Sequence, residues 1–162
     1  MTTKSQFSAE EWNSLLNAPT LVALYVALAS PGMVDSIKES MAAALAISKI
    51  VQAPPANELI GALIVDFKNT DLLKQAQPKI DKNDLAQVRG QIMGLVSQAG
   101  AALEAKATPE EADYYKHWLY QVAVDAANAA KEGDFLGIGG QRVSPQEVAA
   151  LKEIATAFKI TV

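Results

Sequence analysis

An all-α domain is what this sequence predicts: a compact bundle of seven to eight helices in one unit spanning residues 1–162. Three observations predict it. Apolar residues recur at helical spacing, helix-start signatures of the Ser-x-x-Glu and Ser/Thr-Pro-x-Glu kind punctuate the chain, and no window shows the alternating β-branched pattern of a strand. Half of the 162 residues are apolar and 20% are charged, which is globular composition, and a chain of this length buries about 70% of its unfolded surface.

The elements follow in order. Ser8 with Glu11 forms a capping box that starts a helix over about Ala9–Asn17, and Phe7 with Trp12 supplies a hydrophobic staple. Pro19 is expected to end that helix and open a second, through Ala29, that is apolar on every side and so central. Ser30-Pro31-Gly32 closes it. A third helix runs from Val34 or Asp35 to Gln52, stopped by Ala53-Pro54-Pro55. Asn57 caps a fourth to about Lys68, and a short fifth covers Asp71–Gln77 before Pro78. Asp81 is expected to cap a long sixth helix from Lys82 to Ala105, in which Gly90 and Gly94 share a face suited to a close neighbour. Thr108-Pro109-Glu110-Glu111 starts a seventh that reaches Lys131 or Glu132, and Ser144-Pro145-Gln146-Glu147 starts the last, to about Phe158.

Composition excludes several classes. The net charge is −4, and the only arginines are Arg89 and Arg142, so no basic stripe exists for nucleic acid. There is no cysteine, which removes disulfides, thiolate metal sites and cysteine nucleophiles and fits a cytoplasmic protein. The apolar run Leu21–Ala29 is far shorter than the roughly 20 residues of a membrane span, and Met1–Phe7 lacks a signal peptide's apolar core. A bacterial-type cytoplasmic protein is the expectation.

Two stretches read alike. Residues 20–52 and 109–158 each give an apolar helix, a glycine stop, a lone valine, a capping residue and an acid near the start of the next helix. The second unit resembles the helix–acidic-loop–helix repeat of the TerB-like tellurite-resistance family. Ala130-Lys131-Glu132-Gly133 matches the first part of that family's motif, Val143 and Glu147 match the second, and Glu147–Phe158 is similar to its C-terminal helix. The family's aspartate before glycine is Glu132 in one unit and Pro31 in the other, and Asp134–Arg142 looks partly inserted. The resemblance implies an all-α fold of about seven helices with two such units, and divalent cations bound through acidic loop residues.

The metal candidates are therefore Asp35, Glu39, Glu132, Asp134 and Glu147, with Ca²⁺ or Mg²⁺ as the cation. Read locally, Glu147 is also a capping-box acid, Asp35 an N-cap and Glu132 a solvated helix end, and the spacing does not match an EF-hand. Gly137-Ile138-Gly139-Gly140 lacks the lysine and preceding strand of a phosphate loop, and Phe135, Leu136 and Ile138 read as a tucked loop or a partner contact. His117, the sole histidine, excludes a His-pair metal site and sits beside aromatics on a helix. Asp66 is the acid expected to be partly buried, paired with a lysine or a helix end, and Asp125, Asn128 and Glu132 form a polar stripe.

No nucleophile–base–orienter trio is visible, so the expected function is a non-enzymatic TerB-like interaction or stress-response module. A protein partner or self-association, and a divalent cation, go with that reading. The alternative is a small hydrophobic-ligand carrier whose cavity lies between helices, lined by Tyr25, Met41, Met93 and Trp118.

Overall fold

A computed structural model describes residues 2–29, 36–80, 84–129 and 143–162, apart from the side chains of 36–42, 85 and 129. Within them the chain is helical throughout: a 3-10 turn at Lys4–Gln6, then α1 (Ala9–Ala27), α2 (Ser36–Gln52), α3 (Glu58–Phe67), α4 (Thr70–Ala76), α5 (Leu85–Lys106), α6 (Pro109–Ala129) and α7 (Pro145–Phe158). The described residues contain no strand, and the all-α bundle expected from the sequence is what forms.

Most helix starts use the predicted chemistry. Ser8 Oγ accepts from Glu11 N at 3.1 Å while Ser8 N donates to Glu11 Oε2 at 2.7 Å, and the Phe7 and Trp12 rings sit 5.5 Å apart as the staple. Asn57 and Asn69 cap α3 and α4 by accepting from Ile60 N and Leu72 N, and Ser144 with Glu147 repeats the capping box at α7. One start differs. The sixth predicted helix is described from Leu85, where Asp84 accepts from Ala86 N at 2.9 Å and satisfies the first orphan donors; the expected cap Asp81 and start Lys82 lie outside the described residues.

Pro19 does not break α1, which runs unbroken for 19 residues. A proline inside a helix leaves the carbonyl four residues earlier without its donor. Here that carbonyl belongs to Leu15, and the fully buried Tyr115 of α6 donates its hydroxyl to it at 2.7 Å. The tertiary hydrogen bond replaces the missing helical one, so the proline is accommodated inside the core.

α1 is the central rod. Leu15, Leu16, Val22, Ala23 and Val26 are buried on it, and it packs chiefly against α5, α6 and α2, with α4 and α7 completing the ring. Each of these leucines and valines taken from water contributes about 1.5–3 kcal/mol. Leu59, Ile60 and Leu63 of α3, Ile92, Val96 and Leu103 of α5, Tyr115 and Leu119 of α6, and Ile154 and Phe158 of α7 fill the space around it.

The glycines of α5 correct another expectation. Gly90 and Gly94 are exposed, and a Cβ on either would meet nothing within 4 Å, so no neighbouring helix among the described residues approaches them. The close approach is at Gly100, where a Cβ would lie 3.4 Å from Phe158 Cδ1 of α7.

Candidate functional site

The charged groups with displaced pKa values come first, because such groups mark functional sites when they converge on a cleft. Burial works to raise the pKa of Glu111, but hydrogen bonds from Thr2 and Thr108 outweigh it and hold it down to about 2. Its Oε1 accepts from Leu59 N at 3.2 Å, and its Oε2 accepts from Thr108 Oγ1 at 2.9 Å and from the Thr2 hydroxyl. One carboxylate thus ties the start of the chain, the start of α3 and the start of α6 together. Its lone pairs are spent on that structural knot.

Glu104 is held down to about 2 by the ammonium groups of Lys159 and Lys116, which donate to Oε2 at 2.8 Å and Oε1 at 2.9 Å. Glu11 is lowered by Lys106 and by its own capping box. Asp66, the acid expected to be partly buried, accepts at Oδ2 from Trp12 Nε1 at 2.7 Å and from Lys4 Nζ at 2.6 Å. Tyr25 is raised by burial and by its hydrogen bond to Glu153, while Arg89 lies 4.7 Å over its ring and also reaches Glu153 at 3.2 Å. His117 stands on the surface of α6 against Asp113. These networks are spread over the molecule and pin helices together; one of them, Glu104 with Lys116 and Lys159, borders an open cleft of about 320 Å³ between α5, α6 and the end of α7, and there both carboxylate oxygens are held by the two ammonium groups.

The five acidic candidates divide as follows. Asp35, Glu132 and Asp134 lie outside the described residues. Glu39 stands in the first turns of α2, and only its backbone is described. Glu147 is 4% exposed and its Oε2 accepts from Ser144 N at 2.7 Å, so that oxygen is committed to the start of α7. Among the described residues no three acids or histidines converge in a way that could hold a metal ion. The turns on which the two-unit correspondence rests, 30–35 and 130–142, also lie outside the described residues, as do Phe135, Leu136 and Ile138. The first helix of the earlier unit is the latter part of α1 rather than a separate element.

Of the residues expected to line a carrier cavity, Tyr25, Met93 and Trp118 have described side chains. Tyr25 faces Arg89 and Glu153. Trp118 packs at a tilt against Tyr115 and Phe67, with ring centroids 5.4 and 6.3 Å away, and borders a groove against the end of α2. The side chain of Met41 lies outside the described set, and Met93 is half-buried on α5.

A different surface stands out. Between α1, α2, α4 and the extended segment 77–80 runs an open groove of about 610 Å³. α1 contributes Leu16, Leu21 and Leu24, with Asn17 and Thr20 on the same face; α2 contributes Ile47, α4 Leu73, and the segment Gln77, Pro78, Lys79 and Ile80. Leu16 and Leu21 are buried at its floor, while Leu24, Ile47, Leu73 and Ile80 are half-buried along its walls. Asn17 fixes the shape, because its side-chain amide donates to Asn13 O at 2.8 Å and to Ala76 O at 2.7 Å, clamping the end of α4 to α1. Sequence reasoning missed this site. Its residues come from four separate elements, and on each alone they read as ordinary core positions.

The molecule is thus defined at the level of class: among the described residues, an all-α bundle with a filled core and a sizeable apolar groove open to solvent. No protein-family model matches the chain, and neither the curated proteins nor the solved structures hold a significant match. No helix among the described residues is long and apolar enough to cross a membrane.

Proposed function

We propose that this chain is a non-enzymatic binding module of the TerB-like interaction kind, working through the α1–α2–α4 groove. The observation that carries the reading is the groove itself: an open apolar surface set apart from a core that the buried leucines, isoleucines and aromatics already fill. A concave site lined mostly by apolar side chains, with a few polar groups at its edge, is the form that binding sites commonly take. The carboxylates with displaced pKa values, Glu111 and Glu104, are engaged by hydroxyl, amide and ammonium donors of the fold itself, which supports binding over catalysis. The seven helices of the described residues agree with what the TerB-like resemblance implies.

A second reading, the small hydrophobic-ligand carrier, is favoured by one specific quantity. The groove volume of about 610 Å³ falls in the range of roughly 300–1,000 Å³ typical of ligand clefts. On that reading the carrier's site is this groove.

Small neutral probes such as cyclohexanol, titrated into isotope-labelled protein, test the site. The amide resonances of Leu16, Leu21, Leu24, Ile47, Leu73 and Ile80 should move together. Shifts scattered over the surface, or none, would overturn the assignment. The cation belongs to the same proposal and has its own measurement. Calorimetric titration with Ca²⁺, Mg²⁺ and Mn²⁺ should give heat that Glu39→Gln and Asp134→Asn reduce, and a flat titration with an unmoved melting curve at millimolar metal removes it.

A further inference from the structure

We infer that the groove receives a free aliphatic monocarboxylate, its hydrocarbon chain against the leucine and isoleucine walls and its carboxylate at Lys79; this rests on the groove being the binding site. The lining is apolar over most of its length, and its other polar side chains, Asn17, Thr20 and Gln77, are neutral. Asn17 has both side-chain donors engaged within the protein, so it holds the wall and does not solicit a ligand. Lys79 is the one charged side chain lining the groove among the described residues, and no carboxylate among them pairs with it.

That arrangement selects by charge. The chain as a whole carries −4, so a lysine beside an apolar trough is a local reversal of the prevailing sign. An anionic head gains Coulomb energy there, a neutral head gains none, and a cationic head is repelled. A lipid bilayer is the poorer occupant, because binding to an anionic membrane surface calls for clustered lysines and arginines and this groove presents one. A monomeric amphiphile needs only a single cation and a trough.

The test uses the full chain with three ten-carbon alkyl probes, decanoate and decyltrimethylammonium kept below their micelle concentrations and decanol below its solubility limit. Amide shifts report both location and affinity. Decanoate should move the groove residues and bind about two- to fivefold tighter than decanol, the ratio expected of one partly exposed ion pair. Decyltrimethylammonium should bind weakest. Lys79→Glu should abolish the preference for decanoate, and Thr20→Trp, placed at an exposed position on the rim, should weaken decanoate and decanol alike. Equal binding of the three probes, or a preference untouched by Lys79→Glu, overturns the headgroup assignment while leaving the groove as the site. No shift at the groove with any probe overturns both.

Discussion

Replacing Tyr115 by phenylalanine removes one oxygen from a fully buried ring and tests how α1 tolerates its proline. The ring itself stays, so packing is conserved, and what disappears is the 2.7 Å hydrogen bond to the carbonyl of Leu15. That carbonyl has no helical donor, because residue 19 is proline. Leaving a buried acceptor without a partner costs about 1–3 kcal/mol. With a urea slope of about 2 kcal/mol per molar, the unfolding midpoint should fall by roughly 0.5–1.5 M. The decisive comparison adds Pro19→Ala. Alanine restores an N–H to Leu15 O, so in that background Tyr115→Phe should be milder, with a coupling on the order of 1 kcal/mol between the two sites. Burial pushes the Tyr115 hydroxyl well above the usual tyrosine range, so the bond stays protonated and its loss should be the same at mildly acidic and mildly alkaline pH. Equal losses with and without the Pro19→Ala change, or no loss at all, would refute the account.

Three further outcomes follow from the same structure. Glu111 has a folded-state pKa of about 2 against an ordinary 4.5, so its contribution is complete above the unfolded value and is lost as pH falls from about 4.5 through 2. Glu111→Gln should flatten the acid limb of the stability–pH curve, by up to the order of 3 kcal/mol, and an unchanged limb would assign acid unfolding elsewhere. Gly90→Ala and Gly94→Ala face open space and should each stabilise by about 0.5–1 kcal/mol, roughly 2–4 °C in melting temperature at the upper end, whereas Gly100→Leu should destabilise by about 1–3 kcal/mol by pressing on Phe158. Asp66→Ala should cost about 1–3 kcal/mol and alter the fluorescence of Trp12, whose buried indole N–H loses its acceptor; an unchanged emission spectrum would count against that bond.

Local chemistry is readable from the sequence because its partners are close in the chain. Ser8 with Glu11, Asn57 with Ile60 and Ser144 with Glu147 are all three residues apart, and those helices start where these residues put them. The burial of Asp66 is readable too, since a lone acid in an apolar helix has few other fates. Pro19 misleads because its remedy lies on Tyr115, far along the chain, and no local rule supplies that donor. The glycines of α5 mislead for a related reason. Periodicity places Gly90 and Gly94 on one face but not which way the face turns, and the neighbour proves to be Phe158 against Gly100. The start of α5 offers two aspartates three residues apart, and the pattern alone does not single out Asp84, which caps the helix. The groove is invisible for the strongest version of this reason, being a gap between four elements rather than a property of any of them.

The position of α1 also shapes how the protein is made. The rod around which everything gathers leaves the ribosome before its main partners, α5 and α6, which begin at Leu85 and Pro109. At about 5–20 residues per second, its greasy flanks wait several seconds or more for cover. A nascent chain in that interval has the profile of a chaperone client, and synonymous codons that slow translation between α1 and α5 should lower the yield of folded protein without changing one atom of the product.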